Sequence, residues 1–156
     1  MVNNKNPFQN LYPKLTSSPE LDDGNTSDRY IQNSPIWELD KLIEIIQKHE
    51  GNIKIVTDGA KKDFENLLEN GFNLIETLLQ VNVTNDFRGA FWCKTSPSLD
   101  SRGKRRGPGS WIPCDSYSVK CEFENPVNGF SGLVSYYIKL CQGIDGNAVL
   151  FVSIHV

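Results

Sequence analysis

Apolar residues recur along the chain first at helical and then at strand spacing, and the change of period falls near residue 86. Ile36, Leu39, Leu42, Ile43 and Ile46 repeat three and four residues apart, the stripe by which one face of a helix meets a core. Ser34 as N-cap, Pro35 in the first turn and Gly51 beyond the last apolar position bound a predicted helix over 35–49. Ile53 to Val56 is a β-prone run too short for a helix, and predicts a strand. Asp58 is placed to cap a second helix with Phe64, Leu67 and Leu68 as its stripe. Gly71 is placed to end it, because helices commonly stop at a left-handed residue and glycine adopts that conformation without strain. Asn73 caps a third, short helix through Leu74, Ile75, Leu78 and Leu79, which stops near Val81 where β-branched residues and turn formers take over.

From Asp86 onward, runs at 87–95, 110–123, 134–142 and 148–156 predict four successive strands in an antiparallel meander. Asn125 to Gly129 and Gly143 to Asn147 have hairpin chemistry. Residues 96–109, rich in Gly, Pro and basic side chains, lack it and read as a long loop, a feature that in compact domains is functional or disordered. Residues 1–33 are dominated by Asn, Ser, Pro, Asp and Thr without a sustained period, so they predict a flexible tail before a single domain over 34–156. The expected fold class is α/β of the α+β kind. Three N-terminal helices and a short strand pack on a curved, mainly antiparallel four-stranded C-terminal sheet.

A chain of 156 residues suffices for one core. No apolar run approaches membrane-spanning length, and the N-terminus lacks the charged, apolar, small-residue order of a secretory signal, so a soluble cytoplasmic protein with no membrane association is expected. The net charge of −3 argues against a protein that coats nucleic acid generally, yet the sign is uneven. Residues 81–156 carry 8 basic and 6 acidic side chains against 8 and 13 in residues 1–80. Arg102, Lys104, Arg105 and Arg106 form the densest basic stretch, either a solvated loop or a surface for an anionic ligand. Cys93, Cys114, Cys121 and Cys141 are widely spaced, with no Cys-x-x-Cys pair and no histidine at zinc-ligand spacing. Neither a metal nor a cofactor is expected, and the thiols read as small buried hydrophobes.

His155 is the only histidine of the β half, and an unperturbed imidazole with a pKa of about 6.5 suits proton transfer near neutrality. It reads either as an acid or base, or as an exposed and idle side chain. Tyr137 and Lys139 stand two apart and share a sheet face, where they can offer a phenol and an ammonium to a phosphate, or simply form a surface pair. Arg88 and Lys94 are further cations on the first C-terminal strand. Trp92 and Trp111 read as platforms for RNA bases or as core packing.

Several local patterns, in the same order along residues 36–156, resemble the MqsR-type mRNA-cleaving toxins of bacterial toxin–antitoxin systems. Thr84-Asn85-Asp86-Phe87-Arg88-Gly89 leading to Trp92-Cys93-Lys94-Thr95 is similar to that family's helix-to-sheet junction. Trp111-Ile112-Pro113-Cys114-Asp115-Ser116-Tyr117 is similar to its Trp-rich strand, Tyr137-Ile138-Lys139 to its Tyr-x-Lys pattern, and Val149 to His155 to its closing apolar strand. Gly89, Ile112 and His155 stand where the family's lysine, glutamine and terminal lysine are expected. The resemblance implies a RelE/MqsR-like fold, mRNA as substrate, a cognate antitoxin as partner, and metal-independent cleavage in which the ribose 2′-hydroxyl attacks the adjacent phosphorus. For that chemistry His155, Tyr137, Lys139 and Arg88 are the expected catalytic residues, and Lys94, Trp92, Trp111 and the basic loop, an addition to the family's pattern, are expected to bind RNA. Two other readings stay open: a non-catalytic binding protein on the same scaffold, antitoxin-like or a phage-defence adaptor, and a ribosome-dependent toxin of the RelE type.

Overall fold

A computed structural model describes residues 6–20, 27–99, 101–106, 109–124, 129 and 131–156. Among them five helices and eight strands alternate along the chain: α1 (Phe8–Leu11), β1 (Arg29–Gln32), α2 (Leu39–Lys48), a 3-10 turn (Glu50–Asn52), β2 (Ile53–Ile55), α3 (Asp58–Glu69), α4 (Leu74–Leu79), α5 (Val83–Asp86), β3 (Phe87–Lys94), β4 (Ser98–Leu99), β5 (Arg105–Arg106), β6 (Trp111–Glu124), β7 (Ser131–Gln142) and β8 (Val149–His155). The protein is mixed α+β. Its main sheet has six strands in the order β1-β3-β6-β7-β8-β2, antiparallel throughout except for the β2–β8 pair.

The four expected strands are the central ones, joined as a meander, and each expected sheet edge gains a strand. β2 adds to β8 in parallel, with three helices and the rest of the meander between the two strands in sequence. β1 adds to β3 from within the segment read as a flexible tail. The described parts of that segment are packed on the domain: Phe8 and Leu15 are buried in the common core, and the Phe8 ring meets Trp37 edge-on at 6.3 Å. These apolar residues are too sparse to repeat at a recognisable period, so composition outweighed them. The segment 96–109 also departs from expectation, for Ser98–Leu99 and Arg105–Arg106 pair as a two-residue antiparallel ladder turned at Gly103, whose φ is +78°.

Helix ends follow local chemistry. Thr57, one residue before the expected cap, accepts from Ala60 N at 3.2 Å, Asn73 accepts from Glu76 N at 3.0 Å, and Gly71 stands at φ +85° beyond α3 with Phe72 N bonded to Leu67 O. The first expected helix starts four residues late, at Leu39, because Asp115 on β6 competes for the backbone ahead of it. That carboxylate accepts from Ile36 N at 2.9 Å and Trp37 N at 2.9 Å, holding 36–37 against the sheet outside the helix. Trp37 Nε1 adds a bond of 2.8 Å to the carbonyl of Pro113.

Leu42, Leu78, Ile138, Leu140, Phe151 and Ile154 lie in the core, where each buried aliphatic or aromatic side chain contributes about 1.5–3 kcal/mol relative to exposure. Along β7, buried Tyr136, Ile138 and Leu140 alternate with partly exposed Tyr137 and Lys139. The second set therefore faces away from the helices of the core, on an opposite sheet face.

Candidate functional site

The alternation in β7 and its pairing with β8 bring three of the expected catalytic side chains together. Tyr137 is the cross-strand partner of His155, their ring centroids lie 5.5 Å apart, and the planes are tilted by 44°. The Lys139 ammonium sits 5.5 Å from the Tyr137 centroid and 5.8 Å from that of Phe91 on β3. It is ion-paired with Asp28, immediately before β1. Burial of Lys139 pulls its pKa down, but the hydrogen bond and charge of Asp28 outweigh that, so the net shift is upward and the group stays cationic. His155 Nδ1 lies 3.1 Å from Val156 O. That oxygen only accepts, so the contact is a hydrogen bond with Nδ1 as donor, and in the neutral ring of that tautomer Nε2 is the acceptor.

Small residues surround the cation. Lys139 pairs with Ser116 on one side and Ser153 on the other, and Ser116 pairs in turn with Gly89. Gly89 has φ +121°, and a Cβ there would meet the Phe91 ring at 3.0 Å, so glycine is what lets that ring lie beside Lys139. The register of β3 and β6 shifts between Phe87 and Gly89, leaving Arg88 in a bulge. Its guanidinium folds back to donate to Asn85 O at 2.8 Å and Phe87 O at 3.3 Å rather than joining the other three.

The residues expected to bind RNA are scattered. Trp92 and Trp111 are 1% and 0% exposed, with their indole N–H groups donating to Thr16 Oγ1 at 3.3 Å and Glu20 O at 3.0 Å. Neither has a free face for a base. Lys94 lies 5.5 Å from the Trp111 centroid and serves packing there. Arg102 and Lys104 are exposed in the turn, and the backbones of Arg105 and Arg106 form β5.

Sequence reasoning missed Asp28, Tyr30 and Phe91. Tyr30 stands 62% exposed on β1, its ring edge-on to Phe91 at 5.8 Å and 73°. The only signal was Phe91 alternating with Trp92 in a strand whose two faces are both largely apolar, which does not reveal the open side.

Other chemistry is less well provided. Burial pushes the thiols of Cys114 and Cys141 well up, so they stay protonated and are poor nucleophiles. A cavity of about 720 Å³ between α4 and the β6–β7 hairpin includes Glu76, Glu122, Cys121 and Tyr136, but none of the clustered residues above, and its two carboxylates oppose an anionic ligand. Among the described residues no group of three metal-ligating side chains converges, and no helix is long and apolar enough to cross a membrane.

No family model, curated protein or solved structure matches the chain.

Proposed function

We propose that the protein is a metal-independent endoribonuclease acting on mRNA in the cytoplasm, a toxin of the MqsR type restrained by a cognate antitoxin. The observation that carries this reading is the convergence of an imidazole, a phenol and an ammonium on one open sheet face. Helices and a short strand preceding a mainly antiparallel sheet support the RelE/MqsR-like assignment.

In the reaction, His155 Nε2 takes the proton of the ribose 2′-hydroxyl as that oxygen bonds to the adjacent phosphorus. The bond from phosphorus to the 5′-oxygen breaks, and the leaving oxygen takes the phenolic proton of Tyr137. Tyr137 recovers a proton from the imidazolium beside it, which restores both groups. Lys139, once the phosphate displaces Asp28, holds the negative charge that grows on the non-bridging oxygens.

His155→Ala is expected to lower cleavage of single-stranded RNA by about 10²–10⁴, the usual worth of a general acid or base, with the fold unchanged. Activity should persist in EDTA and leave a 2′,3′-cyclic phosphate or its hydrolysed form. Full activity of the variant would overturn the assignment. A second reading, RNA binding without cleavage, is favoured by the occupation of Lys139 by Asp28. It is the conclusion if the wild type binds RNA but cleaves it neither free nor on translating ribosomes.

A further inference from the structure

We infer that Tyr30 and Phe91 form a stacking subsite for an unpaired nucleobase, set beside the phosphate position at Lys139. This deepens the proposed function and rests on its nucleic-acid part, without requiring that the chain cleave its ligand.

Three observations support the subsite. Tyr30 keeps most of a large aromatic ring in solvent on an edge strand, where an isolated tyrosine would gain more by lying flat on the sheet. It instead stands edge-on against Phe91, so that the exposed part of the Tyr30 ring is offered to a planar group beside the partly buried Phe91. Next, the Lys139 ammonium lies between Phe91 and Tyr137, 5.8 and 5.5 Å from their centroids, so a cation for a backbone phosphate alternates with rings that can take bases. Finally, that cation already binds an anion, the Asp28 carboxylate two residues before Tyr30. The arrangement therefore sets a carboxylate oxygen on the ammonium next to an aromatic platform. An aromatic row on a sheet, spaced by a cation, matches single-stranded RNA better than duplex, whose bases expose no π faces. An acidic peptide would use Lys139 but not the rings.

The test is equilibrium binding of a fluorescent single-stranded 2′-O-methyl RNA, which has no 2′-hydroxyl and cannot be cleaved, to the full chain. Tyr30→Ala should weaken binding about five- to 150-fold, the range of one base–aromatic stack. Tyr30→Phe should bind as the wild type does, because the ring and not the hydroxyl carries the contact. Placing abasic nucleotides one at a time should reveal one position at which the wild type falls to the level of Tyr30→Ala and the variant loses nothing more. Wild-type affinity in Tyr30→Ala overturns the subsite, as does equal loss in Tyr30→Phe, failure of the wild type to bind, or equally tight, Tyr30-dependent binding of a glutamate-rich peptide. Failure of the cleavage reading shows separately, as normal binding of this RNA with no hydrolysis of its unmodified counterpart.

Discussion

Asp115 is completely buried, and replacing it with asparagine should change how stability depends on pH. Desolvation pushes its pKa up to about 6, against the weaker opposite pull of the Ile36 and Trp37 amides that donate to it. An ordinary aspartate in the unfolded chain titrates near 3.9. The native state thus holds the proton more tightly than the unfolded state, and Asp115 contributes most to stability below about pH 4. That contribution is lost as pH rises through about 6, amounting to roughly 3 kcal/mol at about 1.4 kcal/mol per pH unit. Asparagine is neutral throughout, and its single acceptor oxygen replaces one of the two amide contacts, a constant cost of about 1 kcal/mol. Urea unfolding of both proteins at pH 4, 5, 6 and 7 isolates the effect, since every other titrating group cancels in the difference. The wild type should be the more stable at pH 4, and its advantage should shrink or reverse by pH 7. Parallel curves would refute the reasoning. A wild-type advantage that grows with pH would mean that the two amide bonds outweigh burial.

Two further outcomes follow from the N-terminal segment. Phe8→Ala should cost about 3–5 kcal/mol in denaturant unfolding, as for other buried aromatic truncations, whereas a cost near zero would show that the segment is merely draped on the domain. Asp28→Asn frees Lys139 of its internal counter-anion and should tighten RNA binding by about two- to fivefold, from the worth of a partly exposed ion pair. Unchanged affinity in a filter-binding assay would remove Lys139 from the RNA contact.

The elements legible in the sequence are those whose signal is local. Asn73 and Gly71 mark helix ends because cap chemistry acts over three or four residues, and β3, β6, β7 and β8 show as long β-prone runs between turn formers. Tyr137, Lys139 and His155 could be grouped because a hairpin and a period of two suffice to place them on one face. What stayed hidden depends on partners distant in sequence. The late start of α2 is set by Asp115, nearly 80 positions away, and no residue near Ser34 announces it. Trp92 and Trp111 carry the same residue type whether they stack on RNA or fill a core, and only Thr16 and Glu20, which satisfy their N–H groups, decide for the core. β1 is four residues long and flanked by polar sequence, so it becomes a strand only through the edge that β3 offers.

That origin gives the two halves of the candidate site different mechanical footing. Tyr137 and Lys139 lie on β7, paired on both sides with β6 and β8, and β2 adds to β8 at Val149 to Phe151. Opening this half means breaking the centre of the sheet, at a cost close to that of global unfolding. Tyr30 and Asp28 depend on β1, which has one neighbour and an irregular register between Tyr30 and Gln32. An edge strand so short can detach locally at much lower cost, and detachment removes the carboxylate on Lys139 and the stacking ring in one motion. The same chain reaches back through Glu20, Thr16 and Asn6 to the buried indoles and to the carbonyl of Trp111, so its loss is limited by those anchors. The phosphate-binding half is therefore rigid, while the half that selects a base and screens the cation is adjustable, an arrangement in which ligand binding can exchange Asp28 for phosphate without disturbing the core.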